Sequence, residues 1–145
     1  MKKKLCIYSS ILFVIDLITK YLCIEKKLTI IPNFLYIDYV KNTGVAFSMF
    51  QGFGIVIIII SILAIYYLFK TVREKELIFY SLILGGILGN LFDRIFRGYV
   101  IDFISVKIFK WYFPVFNFAD ICITLGAISL IIYTIFGGKN GNSSK

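Results

Sequence analysis

The sequence predicts a membrane-embedded bundle of four transmembrane helices that carries short strands on one side of the bilayer. Three observations lead there. Of the 145 residues, 59% are hydrophobic, above the share of about 45–50% usual in a soluble domain. Four apolar stretches, at residues 5–24, 53–69, 77–96 and 120–136, each approach the roughly 20 residues that a bilayer core requires. The connections between them alternate long, short and long, so most of the polar mass belongs to one side of the membrane.

The opening "MKKKLCIYSSILFVIDLITK" has the basic start and apolar run of a secretory leader. No small-x-small cleavage site follows, and Asp16 and Lys20 continue the helix, so it reads as a retained first span. Asp16 and Lys20 are spaced i, i+4 with the acid first, the better orientation for a helical ion pair. In the connection 25–52, Pro32-Asn33 signals a turn, and residues 34–40 are β-prone yet too short to span. Strands lying on the membrane surface are expected there. The second span ends in the brief basic connection "KTVREKE", which makes spans two and three antiparallel neighbours.

The third span contains "GGILGNLFDR", whose Gly85, Gly86 and Gly89 permit close approach of another helix. Asn90 and Asp93 share a face, and Arg94 follows at once, so a hydrogen-bonded network is expected at the outer membrane boundary. In the connection 97–119, Trp111 and Tyr112 of "KWYFP" suit the headgroup layer. After the fourth span, residues 137–145 read as a short flexible tail, and residues 1–145 as one integral-membrane domain.

The formal net charge of +8 is distributed over span ends and forms no aromatic-interleaved patch, which argues against nucleic acid. The dense clusters "MKKK" and "KTVREKE" lie directly against spans, so the positive-inside rule places both termini in the cytoplasm and residues 25–52 and 97–119 outside. Cys6, Cys23 and Cys122 lie in or beside the spans without CxxC spacing and read as small packing residues. The chain has no histidine, which removes Ser-His-Asp and Cys-His catalysis and the commonest metal ligand.

The acidic residues divide informatively. Glu25, Glu74 and Glu76 lie among basic residues at span ends and read as solvated. The five aspartates sit in apolar surroundings, where an ionised carboxylate needs a partner or a task. Asp102, returning to the interface after a turn at Gly98, and Asp120, at the head of span four, lie at matched depth. Two carboxylates at one site cannot both ionise cheaply, so one keeps a proton and the pair can activate a water between them. Separate interfacial acids, a proton-coupled carrier and a non-catalytic assembly subunit are the alternatives from composition alone. A Ser105 and Lys107 pair would be a further protease route, weakened because i, i+2 residues do not face each other on a helix.

Four motifs, "DLITK" (16–20), "KNTGVAFSMF" (41–50), "GGILGNLFDRIFRGYVIDF" (85–103) and "FPVFNFADICI" (113–123), resemble in order and spacing those of the lipoprotein signal peptidase (signal peptidase II) family. Ile87 and Ser48 depart mildly from that pattern. The resemblance implies a four-helix bundle with a small extracytoplasmic β-rich cradle and an interfacial loop. It implies a catalytic dyad of Asp102 and Asp120, with Asp16, Lys20, Asn42, Gly44, Asn90, Asp93, Arg94 and Asn117 supporting the site. The implied reaction is metal-free and cofactor-free removal of the signal peptide before the lipid-modified cysteine of a prolipoprotein. The enzyme is expected to be a monomer in the bacterial cytoplasmic membrane, surrounded by lipid and with no nucleic acid partner. Phe34, Tyr36, Phe47, Phe50 and Trp111 are candidates to line the cradle or to belong to an aromatic belt. Asn42 and Asn117 are expected to orient the dyad or substrate carbonyls.

Overall fold

The computed structural model describes residues 1–44 and 54–137. Among them are helices α1 (Lys2–Cys23), α2 (Gly54–Thr71), α3 (Leu77–Phe96) and α4 (Phe118–Ile132), the last continued by a π-helical turn, Tyr133–Gly137. All four have the length and apolarity to cross a membrane. At 22 residues, α1 alone extends about 33 Å. Strands β1 (Lys27–Ile31), β2 (Leu35–Asn42), β3 (Val100–Ile108) and β4 (Trp111–Tyr112) form one antiparallel sheet in the order β1-β2-β3-β4. The strands join α1 to α2 and α3 to α4, so the sheet stands at one end of the bundle, with the start of α1 and the end of α4 at the other.

Helix α3 is the axis of the bundle because its small residues let neighbours close in from two sides. A Cβ at Gly86 would collide with the Ala119 carbonyl of α4, and one at Gly89 with the Asp16 carboxylate of α1. Ile87 packs against the apolar core made by Leu5, Leu68, Val72, Leu77, Tyr80 and Leu84, so its departure from the expected small residue costs no contact. That apolar core fills the end near the termini. Toward the sheet, the interior becomes polar: Asp16, Lys20, Asn90, Asp93 and Asn117 are all buried.

Pro32-Asn33 turns the chain between β1 and β2, with Asn33 in the left-handed region at φ 62°. Gly98, at φ 78°, turns the chain between α3 and β3, a conformation glycine adopts at little cost. β3 returns along β2 with Val40 opposite Asp102 and Tyr36 opposite Ser105, with a bulge between Ile37 and Val40. Ahead of α4, Phe116 bonds back to β3: its carbonyl accepts from Phe103 N–H (3.0 Å) and Ile104 N–H (2.8 Å). That short bridge delivers the next residue, Asn117, to the side of Asp102.

Candidate active site

Asn117 begins α4 as its N-cap, and the sequence Asn-x-x-Asp makes a reciprocal capping box. Asn117 Oδ1 accepts from Asp120 N–H at 2.9 Å, and Asp120 Oδ2 accepts from Asn117 N–H at 3.2 Å. Asp120 is therefore fixed by the local rules of helix initiation. The Asn117 side-chain amide then donates to Asp102 Oδ1 at 2.7 Å and to Asn90 Oδ1 at 3.1 Å. One residue thus holds both carboxylates.

The second oxygen of Asp102 accepts from Asn42 Nδ2 at 2.8 Å. Asn42 Oδ1 in turn accepts from Gly44 N–H at 2.9 Å, a two-residue Asx turn. Asn90 Nδ2 donates to Asp120 Oδ1 at 2.8 Å. Because Asn90 Oδ1 accepts from both Lys20 Nζ (3.0 Å) and Asn117, the orientation of its amide is dictated on the oxygen side. Arg94 donates to the carbonyls of Asn90 (3.3 Å) and Gly44 (3.2 Å), joining α3 to the end of β2.

Below this layer lies a cluster of buried charges. Lys20, 0% exposed, places its ammonium 2.7 Å from Asp16 Oδ2 and 3.0 Å from Asp93 Oδ2. Asp16 Oδ2 makes no hydrogen bond of good angle, so ionic contact with Lys20 is what compensates it. Asp16 Oδ1 accepts from Ala119 N–H at 2.9 Å, linking α1 to the first turn of α4. Asp93 Oδ2 also accepts from Ile101 N–H at 3.1 Å, and Asp93 Oδ1 is paired with Arg97.

All ten residues singled out from the sequence converge on this end of the bundle. The expected Asp16–Lys20 pair and the network around Asn90, Asp93 and Arg94 are present, but both are parts of one assembly. Arg97 was not among the expected site residues, although its i, i+4 spacing from Asp93 is the signal that paired Asp16 with Lys20. Of the candidate aromatic residues, Phe34, Tyr36 and Trp111 lie elsewhere. Trp111, 81% exposed, is nine residues past Asp102 beyond the end of β3, and Ile108, its partner, is about 20 Å along the strand. Phe34 lies at that same distal end, where its carbonyl accepts from Lys107 N–H, and Tyr36 packs on Tyr112 with ring centroids 6.2 Å apart. Phe47 and Phe50, and Ser48 with them, lie outside the described residues. Ser105 and Lys107 form no pair of note: Ser105 faces away from Asp102 by strand alternation, and the Lys107 ammonium stands 5.4 Å over the Tyr112 ring.

Burial in this environment pushes the Asp102 carboxyl up to about 6, with the nearby Asp120 carboxylate adding to the shift and the amides of Asn42 and Asn117 opposing it. The native state therefore holds a proton on this group more tightly than the unfolded chain does. The associated stabilisation is complete below about pH 4 and is lost as pH rises through about 6. With Asp102 3% exposed, raising its carboxyl from the ordinary value to about 6 corresponds to about 3 kcal/mol. Melting of the detergent-solubilised protein should be higher at pH 5 than at pH 7, and Asp102→Asn should flatten that slope. An unchanged slope in the variant would assign it to another group.

Four apolar helices with a cluster of carboxylates and amides gathered at one end of them define a membrane-embedded protein. Its fold is similar to that of two bacterial membrane enzymes solved by the in meso method at 2.3 and 1.9 Å resolution. The first has TM-score 0.84 at 30% identity, covering 97% of this chain and 93% of the other; the second has 0.78 at 31%, covering 91% and 92%. The family described as signal peptidase (SPase) II matches residues 8–136. The lipoprotein signal peptidase of Wigglesworthia glossinidia brevipalpis is 43% identical over 83% of this chain and 86% of its own length. That of Clostridium novyi (strain NT) is 38% identical over 87% and 93%. The chain belongs to the signal peptidase II family, and it is a peptidase of the membrane.

Proposed function

We propose that the chain is an aspartyl endopeptidase that removes the signal peptide from diacylglyceryl-modified prolipoproteins, cutting immediately before the lipidated cysteine. The observation that carries this reading is Asn117 gripping both carboxylates at the end of the bundle: its side-chain amide donates to Asp102 Oδ1 and its backbone N–H to Asp120 Oδ2. The charge inventory supports it. Asp16, Asp93, Asp102 and Asp120 face Lys20, Arg94 and Arg97, so four acids meet three cations, and one proton on the carboxylate pair makes the site neutral. A pair with one proton is the form that can act as base and acid in the same turnover.

In the reaction, the ionised carboxylate takes a proton from a water between the pair as the water oxygen attacks the scissile carbonyl. The protonated partner gives its proton to the carbonyl oxygen, forming a neutral gem-diol. Collapse breaks the C–N bond as the carboxylate takes a proton from a gem-diol hydroxyl and the carboxyl gives its proton to the departing amine, which returns the pair to one proton. Asn42 and Asn117 hold Asp102 by both oxygens, Asn90 and the α4 capping box hold Asp120, and Asp16, Lys20 and Asp93 fix the platform beneath. Arg94 and Gly44 tie the end of β2 to α3.

The site belongs to the sheet end of the bundle, which the distribution of lysine and arginine assigns to the extracytoplasmic side, with both termini in the cytoplasm. There, the β-rich sheet forms a cradle with the interfacial loop, and a helical signal peptide leaves the hydrocarbon with its acyl chains still in lipid. A monomer contains every group the reaction uses. The carrier reading is disfavoured because the acids gather at the bundle's end rather than along a path through it.

Purified protein in detergent should release signal peptide from a diacylglyceryl-modified prolipoprotein, with the new N-terminus at the lipidated cysteine by mass spectrometry and no effect of chelator. No product from a substrate that another family member cuts would overturn the proposal. Asn42→Ala and Asn117→Ala should each lower kcat about ten- to a hundredfold, with Asn117→Ala also costing about 1 kcal/mol of stability through the lost cap. Full activity in both, at normal folded amounts, would remove them from the machinery.

A further inference from the structure

We propose that Arg97, at the end of α3, is a positioning residue for Asp102, acting through Asp93. This rests on the reading of Asp102 and Asp120 as the reacting pair. Asp93 is fully buried and is used on both oxygens. Oδ1 pairs with the Arg97 guanidinium, while Oδ2 meets Lys20 Nζ and the Ile101 N–H. Ile101 immediately precedes Asp102, so the orientation of the Asp93 carboxylate sets where β3 begins and where Asp102 stands.

Charge explains why Arg97 is required. Asp16 and Asp93 share the single cation of Lys20, and a surplus negative charge in a site closed to water is costly. Arg97 closes that deficit from the rim, its side chain 26% exposed, with the guanidinium 5.9 Å from the Phe92 ring centroid. The backbone N–H of Arg97 caps α3 through the Asp93 carbonyl at 2.8 Å. Its side chain and main chain therefore grip the same aspartate.

The cluster also sits electrically beneath the reacting pair. Lys20 reaches Asp120 through Asn90, and Arg94 faces Asp120, Asp102 and Asp93 from α3. From α4, Cys122 faces Asp16. At the rim, burial and its bond with Tyr99 push the Tyr39 phenol up to about 12, so it stays neutral in the working range. Glu25 is exposed and screened by solvent, and Lys41 stands 5.1 Å over the Tyr99 ring. Removing the Arg97 cation leaves one uncompensated negative charge in this set, which makes every proton on the reacting pair harder to remove.

The test measures kcat and KM against pH for full-length wild type, Arg97→Gln and Arg97→Lys, with Asp102→Asn as the reference for the reacting pair. Arg97→Gln should lower kcat about tenfold with KM within about twofold, and both limbs of its pH profile should move to higher pH. Arg97→Lys, which keeps the charge, should leave the limbs at their wild-type positions. A Gln variant with unmoved limbs, or a Lys variant displaced as far as Gln, overturns the proposal. If Arg97→Gln yields no folded protein, Arg97→His carries the test in a chain without other histidines. Its activity should approach wild type at acid pH and fall away as the imidazolium loses its proton near about 6.5, and a wild-type profile overturns the proposal. Activity surviving in Asp102→Asn would instead sink the reading of the pair, whatever Arg97 does.

Discussion

Asp102→Asn and Asp120→Asn should each lower prolipoprotein cleavage about a thousandfold or more while leaving a folded protein, because each deletes a proton-transfer group and keeps its volume. The two variants differ in what they disturb. Both oxygens of Asp102 accept from amide nitrogens, those of Asn42 and Asn117. An asparagine there turns its own N–H2 toward one of them. Asn117 is committed to the α4 cap, so Asn42 is the partner that has to turn its amide, giving up the bond its Oδ1 accepts from Gly44 N–H. At Asp120, the capping oxygen accepts from Asn117 N–H and the other from Asn90. An amide can keep its oxygen in the capping box, and it then loses the bond from Asn90. Residual activity near wild type in either folded variant would exclude the paired-carboxylate mechanism. The double variant should be no worse than the weaker single, since groups acting as a unit do not add.

The largest effect on stability should come from Lys20→Met. The replacement fits a side chain of similar length, but among the described residues it leaves Arg97 on Asp93 as the one direct ion pair of the two buried carboxylates, with Arg94 more distant. Breaking a buried ion pair from one side costs about 3–5 kcal/mol, enough to remove most folded protein from a marginally stable membrane domain. Adding Asp16→Asn to Lys20→Met should recover part of the loss, because the two residues share one charge balance. Thermal unfolding in detergent, followed by the Trp111 fluorescence or by loss of soluble protein, reads both. A single variant that melts with wild type would show that water, and not Lys20, compensates the two carboxylates.

What the sequence made legible were interactions that repeat locally. The four spans follow from apolar length, and Asp16 with Lys20 from an i, i+4 spacing that any helix brings together. Asp120 and Asn117 are three residues apart in a capping-box pattern that the sequence itself displays. Arg97 stands four residues after Asp93, but a basic residue just past the end of a span also fits an ordinary flanking charge, so spacing alone does not single it out. Lys20 reaching Asn90 and Asp93, Asp16 reaching the Ala119 N–H, and Phe116 pairing with β3 are contacts across 12 to 103 residues of chain, and no spacing rule finds them. They follow from the glycines of α3, which let three helices approach closely enough for short side chains to meet. The distal placement of Trp111 depends on the β3–β4 register, with Trp111 opposite Ile108, which side-chain pattern alone did not fix.

Helices α1, α3 and α4 leave the ribosome in that order, and the partners of α1 are the last to be made. Asp16 enters the lipid long before Ala119 exists to offer its N–H, and Lys20 before Asn90 and Asp93 arrive. During that interval, the only counter-charge within reach is the one four residues away on the same helix. The pairing of Asp16 with Lys20 therefore serves biogenesis first: it lets a helix with two charges be inserted as a neutral object and await its neighbours. Separating the two by one helical position would strand both charges in the nascent chain, and the failure would show as a translocated or degraded first span before any active site had formed.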